Sequence, residues 1–173
     1  MKKLILSLVL LAWISPLGIK AQQNPVSWDR IRWLTGNWIG EGKGEPGSSE
    51  GSFTFRFDLD QNILVRNSHS EYPATADRPA MKHDDFMVVY SNGSGIPDRA
   101  MYWDNEGHVI EYVLNTTDSS AVFQSAKLGN GPVFRLSYIR LAEDRANVRF
   151  EMSRDGKSFL TYVEGKCRRS NHK

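Results

Sequence analysis

Four histidines, at positions 69, 83, 108 and 172, are the side chains best suited to move a proton or hold a metal ion. Their wide separation gives no short metal-ligand spacing, and no His-Glu-x-x-His run occurs, so no metal site is expected. His83 is followed by Asp84 and Asp85, which reads as an exposed polar turn, because adjacent residues on a strand would point to opposite faces. His69 is more informative. Within Ile63 to Tyr72 it shares a face with Asn67 and Glu71, while Arg66, Ser68 and Ser70 lie opposite. A strand polar on both sides either lines a wet cavity with one face or is solvated on both, and the pattern leaves the two open.

Arg66 and Arg135 have the geometry to clamp a ligand carboxylate, with a structural salt bridge as the competing role for each. Arg135 lies opposite Phe134 and Leu136, so it should face solvent if those two build the core. The lone Cys167 cannot cross-link its own chain and has no activating base beside it, so it reads as a buried, inert thiol. Aromatic side chains recur along successive segments, and with Arg66 and His69 they make up the expected ligand-binding set. That set is Trp38, Arg66, His69, Tyr90, Tyr102, Tyr112, Phe123, Tyr138 and Tyr162. Apolar rings with a few hydroxyls are the ordinary composition of a small-molecule pocket. Glu71 with Glu111, or Asp104 with Glu151, are acid pairs that strand pairing could bring together. No Gly-x-Ser-x-Gly elbow or phosphate-cradling loop is present. Non-catalytic binding of a small hydrophobic molecule, lipid-like or fatty-acid-like, therefore ranks ahead of a pocket isomerase or cyclase.

The elements that must position these residues are strands. Phe53, Phe55, Phe57 and Leu59 alternate with Ser52, Thr54, Arg56 and Asp58, the period of a half-buried strand. Val148, Phe150 and Met152 repeat the pattern, as do Phe134, Leu136 and Tyr138. Further strands are expected over Trp38–Lys43, Ile63–Tyr72, Phe86–Ser91, Ala100–Asp104, His108–Asn115, Ala121–Ala126 and Phe159–Lys166. Asn92-Gly93, Gly129-Asn130-Gly131 and Asp155-Gly156 supply tight turns. Pro73 to Asp84 is a longer polar connection. Trp28, Ile31 and either Trp33 or Leu34 fall at helical spacing after Ser27, a natural N-cap, and predict a short helix. About ten strands joined by short turns predict an antiparallel up-and-down barrel, which leaves no exposed edge. A β-sandwich is the rival architecture.

Residues 1–21 read as an export signal: Lys2 and Lys3, an apolar run from Leu4 to Ile14, then Pro16, Gly18 and Ala21. The expected mature chain, residues 22–173, is a single domain with its barrel over about residues 36–167, periplasmic or secreted and with no stable membrane insertion. Setting aside Lys2, Lys3 and Lys20 from the 22 basic side chains leaves 19 against 20 acidic ones. Such a balance gives no electrostatic footprint for nucleic acid. Lys166, Arg168, Arg169 and Lys173 read as a solvated basic tail, and the oligomeric state is not legible.

The most specific local feature is Gly36-Asn37-Trp38-Ile39-Gly40-Glu41-Gly42-Lys43-Gly44. A tryptophan here can plug one end of a barrel while the glycines allow close approach of neighbouring strands. This Gly-x-Trp opening resembles the first strand of the calycins, and the extended glycine spacing is similar to nitrobindin and bacterial nitrobindin-like barrels. The resemblance implies a calycin-like barrel with room for a ligand. Nitrobindins bind haem through a histidine near the end of the chain. Here the last expected strand has none, and His172 falls in a polar terminal run, so haem is not carried over and no cofactor is expected on the first reading; a haem or other tetrapyrrole protein, with His69 or His108 as the histidine, is the alternative.

Overall fold

Side-chain alternation translates directly into a closed sheet. The computed structural model describes residues 25–41, 50–77 and 79–170. The segment read as an export signal, Gly42, Lys43 and Gly44 of the glycine motif, and His172 lie outside the described residues. Ten strands follow one another: β1 (Gly36–Gly40), β2 (Glu50–Asp58), β3 (Ile63–Tyr72), β4 (Met81–Tyr90), β5 (Arg99–Asp104), β6 (Val109–Thr117), β7 (Ser120–Ser125), β8 (Val133–Arg140), β9 (Arg145–Ser153) and β10 (Leu160–Arg169). Each pairs antiparallel with its sequence neighbour, and β1 pairs with β10 to close the barrel. The chain is thus a closed up-and-down barrel, not a sandwich.

Pairing preserves parity, so residues opposite one another share a face. Phe53, Phe55 and Phe57 stand opposite Ser68, Arg66 and Leu64, and all point inward. Val88 and Phe86 on β4 point out, whereas Met87 and Val89 are buried in the core. One hydrophobic cluster runs from Trp28 and Leu34 through Trp38, Phe55, Met87, Tyr112 and Phe123 to Tyr138 and Cys167.

Three expectations need correction. The N-terminal helix reduces to a single 3-10 turn, Arg32–Leu34. The Ser27 hydroxyl bonds the Asp29 carboxylate at 2.9 Å and caps no backbone amide, and a segment this short cannot nucleate a helix unaided. Trp28, Ile31 and Leu34 still lie buried side by side, so the spacing recorded burial against the barrel end. The fourth strand begins at Met81, five residues earlier than expected, because β3 offers an uninterrupted edge as far as Tyr72, which pairs with Met81. His83, Asp84 and Asp85 are therefore strand residues, not an exposed turn.

One end of the barrel is sealed. Trp38 stacks on Phe53 with ring centres 5.9 Å apart, and its indole N–H donates to the Leu34 carbonyl at 2.8 Å. Arg169 was expected in a solvated tail, yet it belongs to β10. Its guanidinium sits 4.6 Å from the Trp38 ring centre and donates to the carbonyls of Trp33 and Thr35. At Gly36, φ is +108° and an added Cβ would lie 2.7 Å from the Arg169 guanidinium, so this position demands glycine. Trp28 closes the neighbouring turn by donating to the Gln61 carbonyl at 2.7 Å. Leu59, Asp60 and Gln61 all hold positive φ there, braced by the Asn62 amide on the Leu59 carbonyl at 3.0 Å.

Replacing Trp38 with alanine should lower the unfolding free energy by about 3–5 kcal/mol, as large aromatic truncations in sealed cores do. Urea titration would measure this, and a loss below about 1 kcal/mol would mean that the plug does not hold the closed end.

Candidate functional site

The sealed half of the interior is filled with rings. Phe53 and Phe55 of β2 each touch Tyr138 of β8 across the barrel, with ring centres 5.4 Å apart. Tyr138 meets Phe123 at 6.2 Å, Phe123 meets Tyr112 at 6.3 Å, and Tyr112 meets Tyr102 at 6.2 Å. That chain of edge contacts is packed core. The hydroxyls of Tyr112 and Tyr138 nonetheless find no hydrogen-bond partner among the described residues, although both are buried.

Above this floor the interior becomes polar on the side of β3 to β5. Arg66 is only 6% exposed and donates Nη1 to the Asp85 carboxylate, while its Nε–H has no partner among the described residues. Asp85 stands directly opposite Asp104 across the β4–β5 ladder, and their side chains are 6% and 4% exposed. Like charges in such register repel unless each is compensated. Asp85 has Arg66. Asp104 accepts the backbone amides of Glu106 and His108 at 3.0 and 2.9 Å, the His108 ring at 2.8 Å, and the Tyr102 hydroxyl at 3.2 Å. Burial pushes the Asp104 carboxyl up, but the His108 amide and ring outweigh it and hold the group below the ordinary carboxylate value. His83 completes the wall, with Nδ1 3.0 Å from Glu106 and Nε2 3.1 Å from the Tyr102 hydroxyl. Burial, chiefly, raises the phenols of Tyr102, Tyr112 and Tyr138 well above their usual value, so all three remain hydroxyls. Burial works against the charge on Arg66, and neighbouring Tyr138 and Asp85 more than restore it.

The opposite wall is apolar and reaches solvent. Phe134 and Phe150 stack at 5.9 Å, and with Val148 they face inward yet remain only partly buried. An inward side chain that solvent can touch marks an open barrel mouth. Gly165 on β10 lies in register with Val148, and a Cβ built on it meets no atom within 4 Å. The space in front of it is empty.

The structure divides the expected site residues into two groups. Trp38, Arg66, Tyr102, Tyr112, Phe123 and Tyr138 all point inward and are buried. Trp38 belongs to the sealed end, and Phe123 to the core beneath the polar wall. His69, Tyr90 and Tyr162 do not join them. Tyr90 shares the outer face with Val88 and Phe86, and Tyr162, at the β10 irregularity, is 63% exposed. His69 lies outside, over an open groove of about 630 Å³ that Thr54, Asn67, Phe86 and Trp103 also line. Its ring contacts Asp84 at 2.5 Å and Glu71 at 3.3 Å. Arg135 clamps Glu151 from outside with two bonds of 2.7 and 2.9 Å, a structural pair. Glu71 is engaged by Lys82 at 2.7 Å and Glu151 by Arg135, and β3 and β6, like β5 and β9, are not neighbours, so strand pairing brings together neither candidate acid pair; the opposed carboxylates are Asp85 and Asp104. Cys167 is buried with its thiol on the Ala146 carbonyl at 3.4 Å, and burial pushes it up to about 12. His83, Asp85 and Asp104 escaped notice as interior groups. Extending the parity of Met87 and Val89 back by two and four residues would have found the first two.

Removing Asp85 alone strands Arg66 in the barrel, so Asp85→Ala should cost about 3–5 kcal/mol in urea unfolding. Arg66→Met combined with Asp85→Leu should recover most of that loss. At the surface, the bond from Asp84, then that from Glu71, raises the His69 pKa above its ordinary 6.5. The stabilisation is therefore complete below the unfolded value and fades as pH rises through the higher folded one. An NMR titration should place the His69 midpoint above 6.5, and Asp84→Asn should bring it down. An unmoved midpoint would refute the assignment of the shift to Asp84.

No family model matches the chain, and no curated protein matches it in sequence. Among solved structures, the crystal structure of Rv2717c from M. tuberculosis aligns with a TM-score of 0.55 and 13% identity, over 84% of this chain and 99% of that one. An S-type phycobiliprotein lyase from Guillardia theta aligns with a TM-score of 0.49 and 10% identity, over 82% and 91% of the two chains. At these identities a likeness shows fold alone. The strand order is that of a closed up-and-down barrel, and the alignment with Rv2717c shows that the two chains share this fold.

Proposed function

We propose that the barrel binds a small, largely apolar molecule through its open mouth, without chemical conversion. One observation carries this proposal: three buried polar atoms, Arg66 Nε, Tyr112 Oη and Tyr138 Oη, lack a partner among the described residues beneath an interior that solvent can enter. Buried polar groups in folded proteins are nearly always hydrogen-bonded, and each one left unmet costs about 1–3 kcal/mol. A guest lying against Phe134, Val148 and Phe150, with its polar end reaching inward, would supply the missing partner. Arg66, Tyr102, Tyr112 and Tyr138 are the proposed binding residues from the sequence-derived set; Trp38 and Phe123 support them from below.

Haem is not the guest favoured here. An axial ligand needs an imidazole nitrogen free to face the iron. Both ring nitrogens of His83 are engaged, by Glu106 and Tyr102, His69 shares the outer face with Asp84, and His108, its Nδ1 on Asp104, is exposed at the end of the turn after β5. With residues 1–21 read as an export signal, the protein would work in the periplasm or outside the cell.

Gly165→Phe places a ring in the empty space of the mouth without touching the polar wall. It should weaken binding of the neutral dye Nile red by about tenfold or more, equal to at least about 1.4 kcal/mol, while leaving the melting temperature unchanged. Unaltered dye affinity in a folded Gly165→Phe protein would exclude the barrel interior as the binding site.

A further inference from the structure

Which polar end the interior accepts follows from its charges, on the premise that the mouth binds a guest at all. Three carboxylates, Asp85, Asp104 and Glu106, stand along the wall of β4, β5 and the turn after it. Arg66 is the cation within it, already paired with Asp85. Even with His83 and His108 both protonated, these residues sum to no net positive charge. A ligand carboxylate seated by Arg66 would therefore meet Asp85 on the same guanidinium and Asp104 directly across the ladder. Taking such an anion out of water would be compensated by no unshared cation.

A ligand ammonium fails for a different reason. The unmet groups at the floor are one obligate donor, the Arg66 Nε–H, and two hydroxyls that donate or accept. An ammonium has no lone pair to offer the Arg66 donor and would lie against a guanidinium. A neutral oxygen resolves both difficulties. It can accept from Arg66 Nε and from a tyrosine hydroxyl, and it adds no charge to the wall.

We infer that the barrel selects apolar molecules ending in an uncharged, hydrogen-bond-accepting oxygen, such as an amide, ketone or alcohol, and rejects fatty-acid anions. The pairing of Arg66 inside the fold turns a residue suited to carboxylates into a donor for neutral oxygen.

The test displaces Nile red from the full chain with three probes of one tail length, decanamide, decanoic acid and decylamine, at neutral pH and below their micelle concentrations. Decanamide should displace the dye at least tenfold more tightly than either charged probe. Asp104→Asn removes one carboxylate from the wall and keeps an oxygen for the His108 and Glu106 amides. It should narrow the gap between amide and acid several-fold. Asp85→Asn should do the same, and the Asp104 variant serves if loss of the Arg66 partner prevents folding. Decanoic acid binding as tightly as decanamide, or a gap untouched by Asp104→Asn, would overturn the selectivity while leaving the binding function intact. Displacement by none of the three probes, with Nile red equally bound by wild type and Gly165→Phe, would remove the binding function and the selectivity together.

Discussion

Everything in this molecule depends on the short ladder between β1 and β10, where Trp38, Ile39 and Gly40 meet Arg169, Arg168 and Cys167. Without that seam the sheet would present two unpaired edges, each a template for association with another chain. With it, every strand has two partners and the alternation of side chains acquires an inside and an outside. Closure also explains the local chemistry at the seam. Gly36 must be glycine because its φ of +108° is one that side chains rarely adopt, and Arg169 lies against it because the indole face of Trp38 and two carbonyls of the preceding turn receive it.

Closure divides the interior along its axis. Toward the sealed end, rings from β2, β5, β6, β7 and β8 touch edge to face and occupy the space. Toward the mouth the lining changes character, and Phe134, Val148 and Phe150 point inward while still meeting solvent. The same strands serve both halves. Tyr112 and Tyr138 sit at the boundary, contributing rings to the packed side and hydroxyls toward Arg66, Asp85 and the open side. This is how one barrel carries a stable core and retains room for a guest.

The polar wall survives in a low-dielectric setting because nearly every charge has a specific partner. Arg66 holds Asp85, while the His108 ring and two backbone amides hold Asp104. The ion pairs on the outer surface, such as Lys82 with Glu71, are screened by solvent and contribute little by comparison. Inside, an incomplete network is costly, so the few donors and hydroxyls left unmet point to where an outside oxygen belongs.

Period-two alternation in segments such as Phe53 to Phe57 and Phe134 to Tyr138 made the strands, their short turns and the closed up-and-down architecture legible in the chain itself. Side-chain direction in a strand is a local property, which is why Arg66 and His69 could be placed on opposite faces. What alternation cannot say is which face becomes the inside. Arg66 is buried because its face is shared with Leu64, and His69 is left outside with Asp84. Nor does local sequence show how far a strand runs: β4 extends back to Met81 because β3 offers a partner that far, and this turns His83 and Asp85 inward. The opposition of Asp85 to Asp104, and the diversion of Arg66 from a ligand clamp to an internal ion pair, arise from register between strands that only the closed sheet defines. The chain by itself determined the alternating strands; tertiary pairing decided which charges meet, because electrostatic compensation depends on distance in space and not on separation along the sequence.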